Sequence, residues 1–229
     1  MAPRTRRAER REEPLSRERI VEAAIALLDT AGESGLTFRA LSERLATGPG
    51  AIYWHVTGKD ELLLAAADAV VTGSLSADTA DPADTADATP QDAIRALALG
   101  VFDAIDAHPW IGAQLARTPA QSPLLRVFER LGRQVRALGV PHAAQFTAAS
   151  ALLNYILGVG GQNAANARAN HPAGSRAEFL ETAAAAWAAL DPDEYAFTRD
   201  VAAQLRDHDD RVEFLAGIDL ILGGITADR

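Results

Sequence analysis

Residues 37–59, TFRALSERLATGPGAIYWHVTGK, constrain the fold more than any other stretch of the chain. Thr37 supplies a side-chain cap, and Phe38, Leu41 and Leu45 follow at helical spacing, which predicts a short first helix. Ala46-Thr47-Gly48 makes a turn. Pro49 then suits the first position of a second helix, where its missing N–H costs nothing. That second helix is barely two turns long and has few apolar residues to bury. A helix this short is marginal alone in water, so its neighbours must hold it, and its use lies in what it presents outward. Two short helices joined by a tight turn, the second ending in Tyr53-Trp54, outline a DNA-reading helix-turn-helix.

The charge distribution agrees with a polyanion-binding head on an acidic body. The formal net charge is −9, yet residues 1–59 carry ten basic against eight acidic residues and residues 60–229 twelve against twenty-three. Arg4, Arg6, Arg7, Arg10, Arg11, Arg17 and Arg19 crowd the start of the chain. The alternative for that segment is a basic tail that only solubilises.

Other classes find little support. With no cysteine, there is no disulfide framework, thiol nucleophile or cysteine-based zinc site. The five histidines, His55, His108, His142, His171 and His208, lack metal-ligand spacing, so no metal and no cofactor are expected. Gly158-Val159-Gly160-Gly161 lies inside a helical pattern and not after a strand, which makes it weak as a nucleotide signal. No apolar run reaches membrane-spanning length, and neither a secretory leader nor an anchor is visible, so the expectation is a cytoplasmic protein with no enzymatic activity and no membrane partner.

Along the chain, residues 1–14 read as a disordered basic tail. Ser16 caps a helix over about 16–31 with an apolar stripe of Ile20, Ala23, Ala24, Leu27 and Leu28, which Gly32 and Gly35 end. A connecting helix runs from Lys59 to about 72 and closes a DNA-binding domain over 15–72. Residues 76–89, SADTADPADTADAT, have almost nothing to bury and read as a flexible acidic linker. Thr89-Pro90-Gln91-Asp92 starts a larger helical domain over 90–229, with helices expected at 90–107, 109–117, 122–138, 141–169, 175–189, 193–206 and 210–226. No stretch alternates like a strand, so the fold class is all-α.

The opening stripe IVEAAIALLDTAG, the run LTFRALSERLATGPGAIYWHV and the GKDELL that begins the next helix together resemble the DNA-binding domain of the tetracycline-repressor (TetR) family. The segments HPW at 108–110, LARTP at 115–119 and NYILGV at 154–159 resemble the tetracycline-repressor type of C-terminal domain. The resemblance implies a homodimeric repressor that binds double-stranded operator DNA bearing an inverted repeat and leaves it when a small molecule enters the body. It also implies a recognition helix over about 49–55, with Pro49, Gly50, Ala51, Tyr53 and Trp54 facing DNA.

Gly50 and Ala51 carry no long polar group, so this helix is poor in hydrogen-bond readout and suits close backbone approach, thymine-methyl contact and shape readout. Arg39 is then the candidate for a bidentate guanine contact, its alternative being a phosphate clamp. Tyr53, His55 and Lys59 are phosphate candidates, and Thr37 and Thr57 can join them through hydroxyl or backbone. Trp54 has a core reading beside its DNA reading, while Ile52 and Val56 are core.

An effector cavity in the body needs apolar walls and a few convergent polar groups. Phe102, Ile105, Trp110, Phe128, Leu131 and Tyr155 are candidate walls, as are Ile111 and Leu115. For each aromatic, plain packing is the competing role. His108, Gln114, Arg130, Asn154, Gln162, Asn163 and Asn166 are candidate polar groups. Asn154 is the sharpest, because an amide buried on an apolar helix must find a partner. Relatives that bind magnesium–tetracycline carry histidine where Leu75 and Gln114 stand here, so an organic effector without metal is expected. A dimeric regulator with no effector is the alternative.

The dimer is expected to form from helices near 144–167 and 210–226. Phe214, Ile218, Ile221, Leu222 and Ile225 would share one broad face, Gly217 and Gly224 would allow close approach, and Phe146 and Leu153 would join from the other helix. The alternative is burial of that face within the protomer.

Overall fold

The computed structural model describes residues 14–77, 89–115, 123–169 and 176–227. The expected tail up to residue 13 and linker residues 78–88 lie outside the described residues. Those described form helices joined by turns and short loops, with no strand among them, and the chain divides into two compact units, Met1–Ala69 and Val70–Arg229.

The first unit opens with α1 (Arg17–Gly35), capped by the Ser16 hydroxyl, which accepts from the Arg19 amide at 3.3 Å. Gly32 breaks it as expected, at φ 65, but the chain returns to helix for one more turn. Next come α2 (Phe38–Arg44), capped by Thr37, and α3 (Pro49–Tyr53), which has no side-chain cap. The left-handed residue of the intervening turn is Ala46, at φ 50, and not a glycine. The Thr47 amide closes the turn on the Ser42 carbonyl at 3.0 Å. Ile20, Ala24, Leu28, Leu41, Ile52 and Val56 form the core, each valine, leucine and isoleucine contributing about 1.5–3 kcal/mol by leaving water. Ile52 and Val56 thus hold α3 from beneath, which is how so short a helix persists.

α4 (Lys59–Ala77) begins in the first unit and ends in the second, five residues beyond the expected stop. Leu75 is buried, and α7 (Pro123–Ala137) grips this end: Arg126 Nη1 donates to Thr72 Oγ1 and Arg130 Nη1 to the Leu75 carbonyl, both at 2.8 Å. A basic group on the last carbonyls is favourable for a helix, so α4 continues into what composition alone assigned to the linker.

In the second unit, α5 (Pro90–Ala107) starts on a reciprocal capping box between Thr89 and Asp92. It packs with α6 (Ile111–Leu115), α7, α8 (His142–Ala169) and α11 (Asp210–Ala227). α9 (Arg176–Ala188) packs on α10 (Ala196–Val201) and on the 3₁₀ turn Ala202–Asp207 that follows it. The single helix expected at 193–206 is therefore split in two.

The expected dimer face is where sequence and structure part. Phe214, Ile218 and Leu222 of α11 and Leu153 of α8 are buried inside the protomer. Phe214 stacks between Phe102, at 4.5 Å, and Tyr155, at 5.6 Å, and Tyr155 donates its hydroxyl to the Phe214 carbonyl at 3.3 Å. Gly217 serves this packing: an added Cβ would lie 1.9 Å from the Tyr155 hydroxyl. α11 is apolar on most of its circumference, so periodicity could not say which stripe turns inward. The stripe left outside is Val212, Ala216 and Leu220, with Leu220 79% exposed.

Candidate nucleic-acid interface

The outward surface of the first unit is built on the α2–α3 pair. Phe38, at the start of α2, stacks face to face on Tyr53, at the end of α3, with centroids 4.4 Å apart and planes 8° apart. Such a contact across the two helices adds about 1 kcal/mol beyond area burial and sets the spacing between their ends. Tyr53 nonetheless remains largely exposed, and Trp54 is 90% exposed. The core alternative for Trp54 is thereby excluded within this chain. An indole left in water is a costly surface unless something covers it. Pro49 and Gly50 are exposed and Ala51 is half-buried; a Cβ added at Gly50 would meet nothing within 4 Å.

Arg39 projects from α2 with 89% of its side chain exposed, its Nε held by Glu43 Oε1 at 3.0 Å. Glu43 escaped the sequence analysis, although its place four residues after Arg39 was the signal for such a pair.

Behind α3, three segments are tied together. Arg17 Nη1 donates to the His55 carbonyl at 3.1 Å and to Glu61 Oε1 at 2.6 Å. Glu61 Oε2 accepts from the Thr57 amide at 2.6 Å and its hydroxyl at 2.7 Å. The Thr57 amide, then Arg17, then the Thr57 hydroxyl pull the Glu61 carboxyl down to a pKa of about 2. This clamp fixes the exit from α3 and was likewise missed, though Glu61 falls at the third position of α4, where a carboxylate reaches back over the helix start.

The clamp also reassigns phosphate candidates. The amide and hydroxyl of Thr57 are engaged by Glu61, so neither meets a phosphate in this conformation. Lys59 Nζ donates to the Glu33 carbonyl at 2.5 Å, and an ammonium has two further protons to give. Thr37 Oγ1 accepts from the Ala40 amide at 3.1 Å and can still donate its own proton. The half-buried His55 ring completes the row.

The effector candidates fare unevenly. Phe102, Ile105, Trp110 and Leu131 are buried in the second unit, as are Ile111 and Leu115. His108 and Gln114 are half-buried, with the His108 ring 6.1 Å from Trp110. Phe128 meets the 73% exposed Phe146 edge-on, which puts it towards the outside of α7. Tyr155 is committed to α11. Asn154 and Gln162 are exposed on α8, which corrects the reading of Asn154 as a buried amide in need of a partner. The apolar residues around Asn154 in sequence, Leu152, Leu153 and Ile156, turn inward and leave it on the opposite side. Ile221 and Ile225 are half-buried. Among the described residues no cluster of three or more histidine and carboxylate side chains is placed to hold a metal ion.

Residues 20–66 match the family model described as bacterial regulatory proteins of the tetR family, and residues 82–229 match the tetracyclin-repressor-like C-terminal domain. The chain belongs to the TetR family. It is thus a TetR-type transcriptional regulator with an N-terminal helix-turn-helix and a helical C-terminal domain. Among solved TetR structures, the transcriptional regulator SCO7222 of Streptomyces coelicolor is 61% identical over 93% of this chain and 99% of its own, with a TM-score of 0.83. ActR of the same species, solved with actinorhodin, superposes at a TM-score of 0.73 over 94% of this chain and 97% of its own. At 20% identity that second likeness is one of fold. An HTH-type transcriptional regulator of Saccharopolyspora erythraea is 32% identical over 63% of this chain and 59% of its own length. The repressor DrrR1 of Streptomyces coeruleorubidus is 29% identical over 63% and 52%. The chain thus spans between half and three fifths of these two curated TetR relatives.

Proposed function

We propose that this regulator represses transcription by binding an inverted-repeat operator as a homodimer and is released by a small organic effector held in its second unit. The observation that carries the DNA-binding part is the exposed surface of α2 and α3. Two aromatic rings and one arginine stand in water on a scaffold whose buried residues and clamp are spent on holding them there. Tyr53, Trp54 and His55 would meet the phosphate backbone, with Lys59 and Thr37 beside them. Arg39 would enter the major groove, and Pro49, Gly50 and Ala51 would bring α3 close enough to read shape and thymine methyls.

The second copy fits the stripes that the protomer leaves uncovered. On α11 these are Val212, Ala216 and Leu220; on α8 they are Phe146, Ala151, Asn154, Gly158 and Gln162. Small and apolar residues let helices of two copies approach across a two-fold axis, with Ile221 and Ile225 at the margin. Asn154 then pairs across the seam instead of with a ligand. Two-fold symmetry would set the recognition helices about 34–36 Å apart, one turn of DNA.

For the effector, the buried Phe102 and Trp110 and the half-buried His108 and Gln114 are chemically suited to an organic molecule, and ActR, alike in fold, is solved with actinorhodin. Leu75, buried and without a metal-binding group, makes a metal chelate a poor fit. Release would act through α4, the helix common to both units, whose end Arg126 and Arg130 hold. The effector can drive that change only by binding the DNA-incompetent state more tightly, so operator must weaken effector binding in turn. One observation favours the alternative of a regulator without effector: exposure of Asn154 and Gln162 removes two of the polar groups a pocket would need.

Sedimentation of the full chain with a random-sequence duplex pool tests the first part. A dimer at micromolar concentration, with two protomers per bound duplex, supports it. Leu220→Asp should yield monomers that bind DNA weakly; a variant still dimeric would refute this seam, and a monomeric parent would refute the dimer.

A further inference from the structure

Arg39 stands exposed at the start of α2, and its side chain is not alone. We infer that Glu43 is a positioning residue that makes Arg39 a guanine reader and not a phosphate clamp. The inference rests on the DNA-binding reading above and adds a mechanism of specificity to it.

Glu43 holds Arg39 by Nε, at 3.0 Å, one helical turn further along α2. A guanidinium is a rigid plane, and a carboxylate on Nε fixes its tilt while leaving the two terminal amines on the other edge. Those amines form the fork that matches O6 and N7 of guanine. An unrestrained arginine on the same helix would sweep through many rotamers and settle on the nearest phosphate oxygen, which accepts from any direction. The carboxylate opposes that outcome in a second way. It offsets the guanidinium charge with a negative charge beside it, which weakens attraction to an anionic phosphate more than attraction to the uncharged acceptors of a base edge.

Stability does not account for the pair. Both side chains stand in water, 89% and 66% exposed, and an exposed pair at this spacing adds little to a helix. An acidic side chain on a surface that must approach DNA is otherwise a disadvantage, since it repels the polyanion. α3 sharpens the need: its sequence PGAIY offers a single side-chain donor, the Tyr53 hydroxyl, whose ring lies flat on Phe38. Hydrogen-bonded base readout from this pair of helices therefore falls to α2, where the exposed arginines are Arg39 in the first turn and Arg44 in the last, and the aim of Arg39 decides what the first turn reads.

The test is selection of bound duplexes from random DNA by the full chain and by Glu43→Gln, Arg39→Ala and the double variant. Titrations then follow on the selected duplex and on a scrambled one. Glu43→Gln keeps the side chain's size at an exposed site, so it leaves the fold intact. The inference expects its guanine preference in each half-site to fall about two- to fivefold, as loss of an exposed pair allows. Binding to scrambled DNA should hold or tighten. In the Arg39→Ala background the same change should leave sequence preference unmoved, because Glu43 sets preference only through Arg39; the loss of its repulsion of DNA acts on both duplexes alike. An unchanged preference, an equal loss on both duplexes, or a Glu43 effect on preference that survives without Arg39 would overturn it. If Arg39→Ala itself leaves the preference intact, Arg39 is a phosphate clamp and the inference falls while DNA binding stands. If the unsubstituted chain enriches nothing, both fall.

Discussion

Gly217→Ala tests whether α11 packs as the structure has it. The new methyl carbon would lie 1.9 Å from the Tyr155 hydroxyl, 2.3 Å from Cζ and 3.0 Å from Cε2. Non-bonded carbons settle at about 3.5–4.0 Å, so the ring must retreat by more than an ångström. It has nowhere easy to go, being stacked on Phe214, which in turn stacks on Phe102. Overpacking of this kind costs about 1–3 kcal/mol. Losing the Tyr155 hydrogen bond to the Phe214 carbonyl adds about 1 kcal/mol. Replacing glycine by alanine inside a helix returns about 1 kcal/mol. The net loss is about 1–3 kcal/mol, and the expected fall in Tm is about 3–10 °C at this chain length. In a Tyr155→Ala background the obstacle is gone, and Gly217→Ala should stabilise by about 1 kcal/mol. Thermal melts of the four proteins by circular dichroism give the coupling directly. An unchanged Tm in both backgrounds, with a shifted monomer–dimer equilibrium, would refute the reasoning and return Gly217 to the dimer seam.

Three further outcomes are expected. Trp54→Ala should leave stability within about 0.5 kcal/mol of the parent, since the indole is 90% exposed, yet lower affinity for a selected duplex about tenfold; fluorescence anisotropy and a melt separate the two. Ala46→Gly should stabilise the first unit by about 1 kcal/mol, because a left-handed φ of 50 strains alanine and not glycine; a melt that moves the other way would deny that strain. Glu61 has its carboxyl pulled from 4.5 to about 2, so its contribution is complete above pH 4.5 and is lost as pH falls towards 2. With the side chain 31% exposed and solvent-screened, that contribution is held to about 1 kcal/mol. Glu61→Gln should remove this part of the acid slope, and a slope identical to the parent's would contradict the clamp.

Local chemistry at helix starts was legible in the sequence. Ser16, Thr37 and the Thr89–Asp92 box all cap as their types and spacing imply, because capping depends on residues within one turn of each other. The helix-turn-helix was equally local, and its buried side, Ile52 and Val56, follows from polarity. Which face of α8 or α11 turns inward was not legible. Both helices are apolar or small on most sides, and the ring stack of Phe102, Phe214 and Tyr155 decides the matter, through contacts between residues far apart in sequence, 59 in the case of Tyr155 and Phe214. Asn154 was misread for the same reason: a polar residue between leucines shows an interruption in a helix without showing on which side of it the residue stands. The Arg17–Glu61 clamp was hidden by distance as well, joining residues 44 apart. Arg39–Glu43, by contrast, stood in plain view at one-turn spacing.

In the proposed complex the exposed surface of α2 and α3 reads duplex DNA twice, once from each protomer of a two-fold dimer. Sequencing the duplexes that the purified full chain enriches from a random pool tests it most directly. An inverted repeat is expected, its half-sites centred about one helical turn apart, with a guanine preference in each that disappears with Arg39→Ala. Enrichment of no sequence, or of a single half-site without its inverted mate, would contradict it.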